Sequence, residues 1–163
     1  RDPHRDSVEA YVKLAREEGG KVVAGGVRPT GGIYDGGVFY SPTVITGLSN
    51  TSRTAREEIF GPVLVVLPFD SEEGLIAEAN DSMYGLACGI YTKDFPRAWR
   101  IARAVEAGTV WINTYKQFSI STPFGGMKLS GIGREKGIDG IRQYMAQKSI
   151  YLDMSGKPHP WAK

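Results

Sequence analysis

The first element is written in the spacing of its apolar residues. Val8, Tyr11, Val12 and Ala15 fall on one face at helical spacing, behind an Asp6-Ser7 start and ahead of a Gly19-Gly20 stop. Lys21-Val22-Val23-Ala24 is short, β-branched and bounded by glycines, which predicts a strand. The glycine-rich stretch Gly25 to Gly37 has no apolar period and reads as a surface loop. Strand character resumes at Pro42-Thr43-Val44-Ile45. A short helix around Thr54 follows, and the run Val63 to Leu67 predicts a further strand.

Helices and strands then alternate. Asp70 and Glu73 open a helix through Leu75, Ile76 and Ala79, and Ala87 to Tyr91 is a strand. Asp94 caps a helix with Pro96 in its first turn. Ala98, Ile101, Ala102 and Val105 share one face of it, and Arg97, Arg100 and Arg103 are expected to face water. Thr109 to Ile112 is the next strand. A glycine-rich stretch from Pro123 to Gly137 breaks the rhythm. It precedes a helix over Ile138 to about Gln147, a last strand over Ser149 to Leu152 and a loosely held tail from Ser155 to Lys163. Strands separated by helices of this length need helical crossovers, so the class is α/β, three layers around a mainly parallel sheet.

Composition narrows the function. A length of 163 residues with 41% hydrophobic and 23% charged residues suits one soluble domain. The net charge of +2 is scattered, which disfavours nucleic acid as a partner, and no apolar run is long enough to suggest a membrane span. The single cysteine, Cys88, forms no internal disulfide, which agrees with a cytoplasmic location.

Most candidate motifs fail on chemistry. Gly131-Ile132-Gly133 begins a dinucleotide fingerprint, but Lys136 stands where the third glycine belongs and no strand precedes it. Cys88 lies between Ala87 and Gly89 with both histidines, His4 and His159, near the termini, so it reads as a small buried hydrophobe. One cysteine and two histidines do not make a closed zinc site. Tyr115, Phe118 and Phe124 surround a loop after a strand end, where aromatics either line a ligand pocket or cover the sheet edge. In Arg56-Glu57-Glu58-Ile59-Phe60-Gly61-Pro62-Val63, Thr54 with Glu57 reads as a capping box, and Gly61-Pro62 as the helix stop. Glu58 is then either a solvated carboxylate or a rigid acceptor of two hydroxyl protons.

Four blocks together carry a resemblance. Glu57 to Val63, Tyr84-Gly85-Leu86-Ala87, Thr109-Val110-Trp111-Ile112-Asn113, and Pro123 to Lys128 with Ser130 to Glu135 resemble, in order and spacing, the NAD(P)-dependent aldehyde dehydrogenase family. The similarity runs from about His4 to about Asp153 and looks like the C-terminal third of a member. It implies residues 1–147 from the later part of the catalytic domain, and residues 148–163 as an assembly strand and tail. The family oxidises an aldehyde to an acid through a cysteine thioester, with hydride passing to NAD or NADP.

By resemblance, Glu58 holds the nicotinamide-ribose hydroxyls, Phe60 packs near the nicotinamide, and Phe118 and Phe124 line the aldehyde pocket. No catalytic residue of the family falls within this chain, so the chain alone is expected to be inactive. Its implied partners are a small aldehyde and other copies of itself, as a dimer or tetramer. In some branches the carbonyls around Lys128 and Gly131 hold a monovalent cation. Two rivals are a non-catalytic assembly or regulatory module for a complete dehydrogenase, and an unrelated ligand-binding α/β domain.

Overall fold

A buried seam between one helix and one sheet organises the first half of the chain. The computed structural model describes residues 2–157, so the expectations on His159 and on the tail beyond Lys157 fall outside it. Helix α1 (Asp2–Glu17) buries Val8, Val12 and Ala15, the face its spacing predicts. It begins four residues ahead of the Asp6 start, with Asp2 in its first turn paired to Arg5 at 2.8 Å. Strands β1 (Lys21–Ala24), β2 (Thr43–Thr46) and β3 (Val63–Val66) form a sheet in that order, β1 antiparallel and β3 parallel to β2. Ala15, Ile45 and Leu48 make the buried cluster, with Val22, Val63, Val65 and Leu67 packed against it. Because side chains alternate along a strand, Leu64 of β3 points the other way and is 59% exposed.

The second half repeats the helix-over-strands arrangement. Helices α3 (Glu72–Asn80) and α4 (Phe95–Ala104) accompany the parallel pair β5 (Ala87–Ile90) and β6 (Thr109–Ile112). Asp94 caps α4 by accepting the Arg97 N–H at 3.0 Å, and Ala98 and Ile101 are buried as the spacing predicts. At α3 the cap is Ser71, accepting from the Gly74 N–H, and the expected Asp70 lies one residue outside it. Arg97 and Arg100 do more than face water, since both reach Glu72, at 3.4 and 2.9 Å, and clasp the two helices together. Strands β4 (Tyr84–Gly85) and β7 (Met127–Lys128) form a short antiparallel pair. At Gly108 a Cβ would collide with the Gly125 carbonyl, so this residue lets the glycine-rich stretch lie against the start of β6.

The class is α/β, as expected, and among the described residues the strands form three small sheets with two parallel pairs. Strand β5, expected to be buried, is exposed at every second residue. Helix α5 (Gly137–Arg142) is shorter than the expected 138–147 span. Ile138, Ile141, Tyr144 and Met145 supply the apolar period, yet all four are exposed, and a period without a surface to bury against does not sustain a helix. Among the described residues Ser149 to Leu152 pairs with no strand. A single strand has no ladder to close, so the expected strand is a correction at the level of the isolated chain.

Candidate functional site

The loop between the short helix α2 (Arg53–Arg56) and β3 carries the two adjacent glutamates, and their surroundings differ. The capping box is not formed. Ser52 holds the N-cap position without its side chain bonding an N–H of the helix, and Thr54 is a buried residue inside the helix. The cap comes from the turn after α1 instead, where Glu18 accepts the Arg53 N–H at 2.7 Å and the Thr54 N–H at 3.2 Å. Burial pushes the Glu18 carboxyl up, and its contacts with Thr54 and Arg53 outweigh that and bring it below the usual range. Glu57 is already extended backbone, so the helix stops at Arg56, before Gly61-Pro62. Its carboxylate accepts from Arg53 Nε at 2.8 Å and from Tyr11 Oη at 2.7 Å. The Arg53 guanidinium, then the Tyr11 hydroxyl, hold the Glu57 carboxyl below its ordinary value.

Glu58 is exposed, and among the described residues no donor or cation reaches its carboxylate. Two residues on, Phe60 is 75% exposed with φ at 52°, a left-handed conformation that a bulky residue seldom adopts. Its neighbours fix it. The His4 ring lies 2.7 Å from the Phe60 carbonyl, and at Gly61 a Cβ would run into Val8 of α1. The loop is therefore anchored to α1 at both its ends, and it presents a carboxylate with both oxygens available and an aromatic ring to the outside.

Phe118 and Phe124 meet. Their rings pack edge-to-face at 5.2 Å, Phe118 packs on Trp111 of β6 at 5.3 Å, and Trp111 on Tyr115 at 5.0 Å. The indole Nε1–H of Trp111 donates to the Gln117 carbonyl at 2.7 Å, which ties the loop to the strand end. Phe124 is held by Glu135, the two backbones exchanging N–H···O bonds of 2.8 and 2.7 Å. An open groove of about 1320 Å³ runs along the glycine-rich stretch and α5. Of the four predicted site residues only Phe124 lines it.

Three further side chains were not legible in the sequence. Lys136 lays its amine 4.0 Å over the Phe118 ring and 5.8 Å from that of Phe124, His4 holds the Phe60 carbonyl, and Glu18 caps α2 from 35 residues away. No local pattern marks such long-range partners. Cys88 sits half-buried in β5, and burial raises its thiol above the ordinary value, away from the reactive thiolate. Lys128 Nζ lies 2.7 Å from the Asn80 carbonyl, 3.0 Å from that of Ser82 and 2.5 Å from the Glu106 carboxylate. The Lys128 carbonyl accepts the Gly131 N–H at 3.4 Å. Among the described residues no group of three or more His, Cys, Asp or Glu side chains gathers as metal ligands, and no helix is long and apolar enough to cross a membrane.

A profile of the Aldehyde dehydrogenase family matches residues 1–150. The chain is 44% identical over 156 residues to a betaine aldehyde dehydrogenase of Mesorhizobium japonicum, covering 96% of this chain and 32% of that protein. It superposes on the crystal structure of Staphylococcus aureus betaine aldehyde dehydrogenase in complex with NAD+ with a TM-score of 0.94 at 40% identity, covering 99% of this chain and 32% of that one. For Mycobacterium tuberculosis aldehyde dehydrogenase complexed with NAD+ the TM-score is 0.89 at 45% identity, over 97% and 32% of the two chains. The chain thus spans about a third of the length of the proteins it matches. With the profile covering nearly all of its length, the chain belongs to the aldehyde dehydrogenase family.

Proposed function

We propose that this chain works as the C-terminal portion of an NAD(P)-dependent aldehyde dehydrogenase, an oxidoreductase that converts an aldehyde to a carboxylic acid, and that Glu58 grips the nicotinamide ribose. One observation carries the second half: of the two adjacent glutamates, Glu57 is taken up by Arg53 and Tyr11, while Glu58 is exposed and has no bonding partner among the described residues. A carboxylate has two acceptor oxygens and no donor, which suits a vicinal diol, and each charge-assisted bond contributes about 1.5–3 kcal/mol. The exposed Phe60 ring, held at an uncommon φ, packs beside the nicotinamide. Phe118 and Phe124 form part of the aldehyde pocket, a role supported by their mutual packing after the end of β6. NAD or NADP supplies the hydride acceptor when bound, and this chain's residues bind and orient. The nucleophilic cysteine belongs to the other two-thirds of the enzyme, so the chain alone does not turn over aldehyde.

Residues 1–147 then complete the catalytic domain and residues 148–163 carry the assembly strand. Its support is that Ile150, Tyr151 and Leu152 are exposed, with Tyr151 at 93%, and unpaired among the described residues. Apolar residues in an unpaired extended segment favour addition to the sheet edge of another copy. The active protein is a dimer or tetramer, and a monomeric mass by light scattering would contradict this. A lone cysteine fits a cytoplasmic protein.

The test is a chimera in which this chain replaces the matching third of the Mesorhizobium japonicum enzyme. It is expected to oxidise aldehydes with NAD or NADP, and Glu58→Gln is expected to raise KM for the dinucleotide about tenfold or more. An active chimera whose KM ignores Glu58→Gln contradicts the assigned role of Glu58, and an inactive chimera that is folded contradicts the function.

A further inference from the structure

The ammonium of Lys136 occupies the aromatic faces that the proposed function gives to the aldehyde. Its Nζ stands 4.0 Å above the Phe118 ring centre and 5.8 Å from that of Phe124. Both distances are within the range over which a ring's negative face attracts a cation. The position is held from both sides. Glu135, one residue before, is bound to Phe124 through two backbone hydrogen bonds, and the Gly137 N–H, one residue after, donates to the Ile120 carbonyl at 2.8 Å. Lys136 itself sits at the N-cap of α5 with φ at 61°, a conformation that a residue with a long side chain adopts only when its neighbours impose it. Its charge is not cancelled locally. Among the described residues no carboxylate lies within 4.0 Å of the amine, and Asp139 is paired with Arg142 at 3.0 Å.

A quaternary ammonium substrate, such as the betaine aldehyde for which two of the similar enzymes are named, is recognised by aromatic faces through the same attraction. Here that attraction is already met by the protein's own cation, and a second positive charge at the same ring pair is repelled. We infer that Lys136 is a specificity-determining residue that turns this site away from quaternary ammonium aldehydes and toward uncharged or negatively charged ones. The inference rests on the reading of Phe118 and Phe124 as pocket residues, and it names the substrate class of that same site.

The discriminating pair of substrates is betaine aldehyde and 3,3-dimethylbutanal, which share one shape and differ by a single positive charge. In the chimera, the ratio of kcat/KM for the neutral aldehyde over betaine aldehyde is expected to fall about tenfold on Lys136→Met, as expected for removing one unit charge several ångströms from another at a partly exposed site. An unchanged ratio in an active chimera overturns the inference and leaves the enzyme assignment standing. If neither aldehyde is turned over, the charge argument is decided on the full 163-residue chain by NMR. Tetramethylammonium is then expected to shift the ring protons of Phe118 and Phe124 in the Lys136→Met chain and to leave them in place with Lys136. Equal shifts in both, or shifts in neither, overturn it.

Discussion

Glu57 and Glu58 are neighbours in sequence with opposite fates, and the difference is one of partners. Glu57 is engaged by a guanidinium from the adjoining helix and a phenol from α1, whereas among the described residues Glu58 has neither within reach. The sequence shows both acids but not which is which. Thr54-x-x-Glu57 has the letters of a capping box, yet the true cap, Glu18, sits in the turn after α1, and only the tertiary approach of α1 to α2 reveals it. The same holds for Lys136, whose role depends on a ring eighteen residues earlier in the chain. Hydrogen bonding to Glu57, the largest influence on it, raises the Tyr11 phenol above its usual value of 10.0. Replacement of Glu57 by Gln removes the anion and is expected to bring the Tyr11 ring titration, followed by NMR, back down toward that value. An unshifted titration would show that the pair does not form in solution.

Element by element, the sequence was most legible where a period or a cap is local. The buried face of α1, the Asp94 cap with Pro96 on α4, and the strands β1, β2, β3, β5 and β6 follow from spacing and β-branching alone. The last helix is shorter than its period predicts, and Ser149 to Leu152 is unpaired, because among the described residues neither segment has a surface to pack against. Joints between elements offer two tests. Loss of the Glu18 cap in Glu18→Ala is expected to destabilise by about 0.5–2 kcal/mol, the range for removing a helix cap, measured by urea unfolding. Ile45 is fully buried at the α1–sheet seam, and Ile45→Ala is expected to cost about 2–5 kcal/mol in the same assay.

The clasp between α3 and α4 gives a pH signature. Glu72 is held below its usual 4.5 first by its hydrogen bond to Arg100, so its folded pKa is lower than its unfolded one. The stability it contributes is complete above the unfolded pKa and is lost as pH falls through the folded value. Acid titration of the melting temperature is expected to show a decline below about pH 4.5 that is shallower in Glu72→Gln.

For the whole molecule, exposed apolar faces occur in a chain that spans about a third of the length of the proteins it matches. Leu64 and Val66 of β3, Ile138 and Ile141 of α5, and Ile150 to Leu152 all lie exposed, in a chain that covers 32% of the Mesorhizobium japonicum protein. Faces of this kind mark surfaces made to be covered. The 163-residue chain by itself is accordingly expected to show no NAD-dependent or NADP-dependent aldehyde oxidation, and measurable turnover would contradict the division of labour proposed here. The family blocks were readable in sequence because they are local; the contact that singles out Lys136 was not.

The central claim, a carboxylate at position 58 bonded to a sugar diol, is tested most directly by a double cycle. Binding of NAD+ and of its analogue lacking both hydroxyls on the nicotinamide ribose is measured by calorimetry on the chimera, with Glu58 and with Glu58→Ala. The prediction is that the analogue binds at least about tenfold more weakly when Glu58 is present and about equally well when it is absent. The same hydroxyl preference in both proteins would mean that the sugar is held by something else.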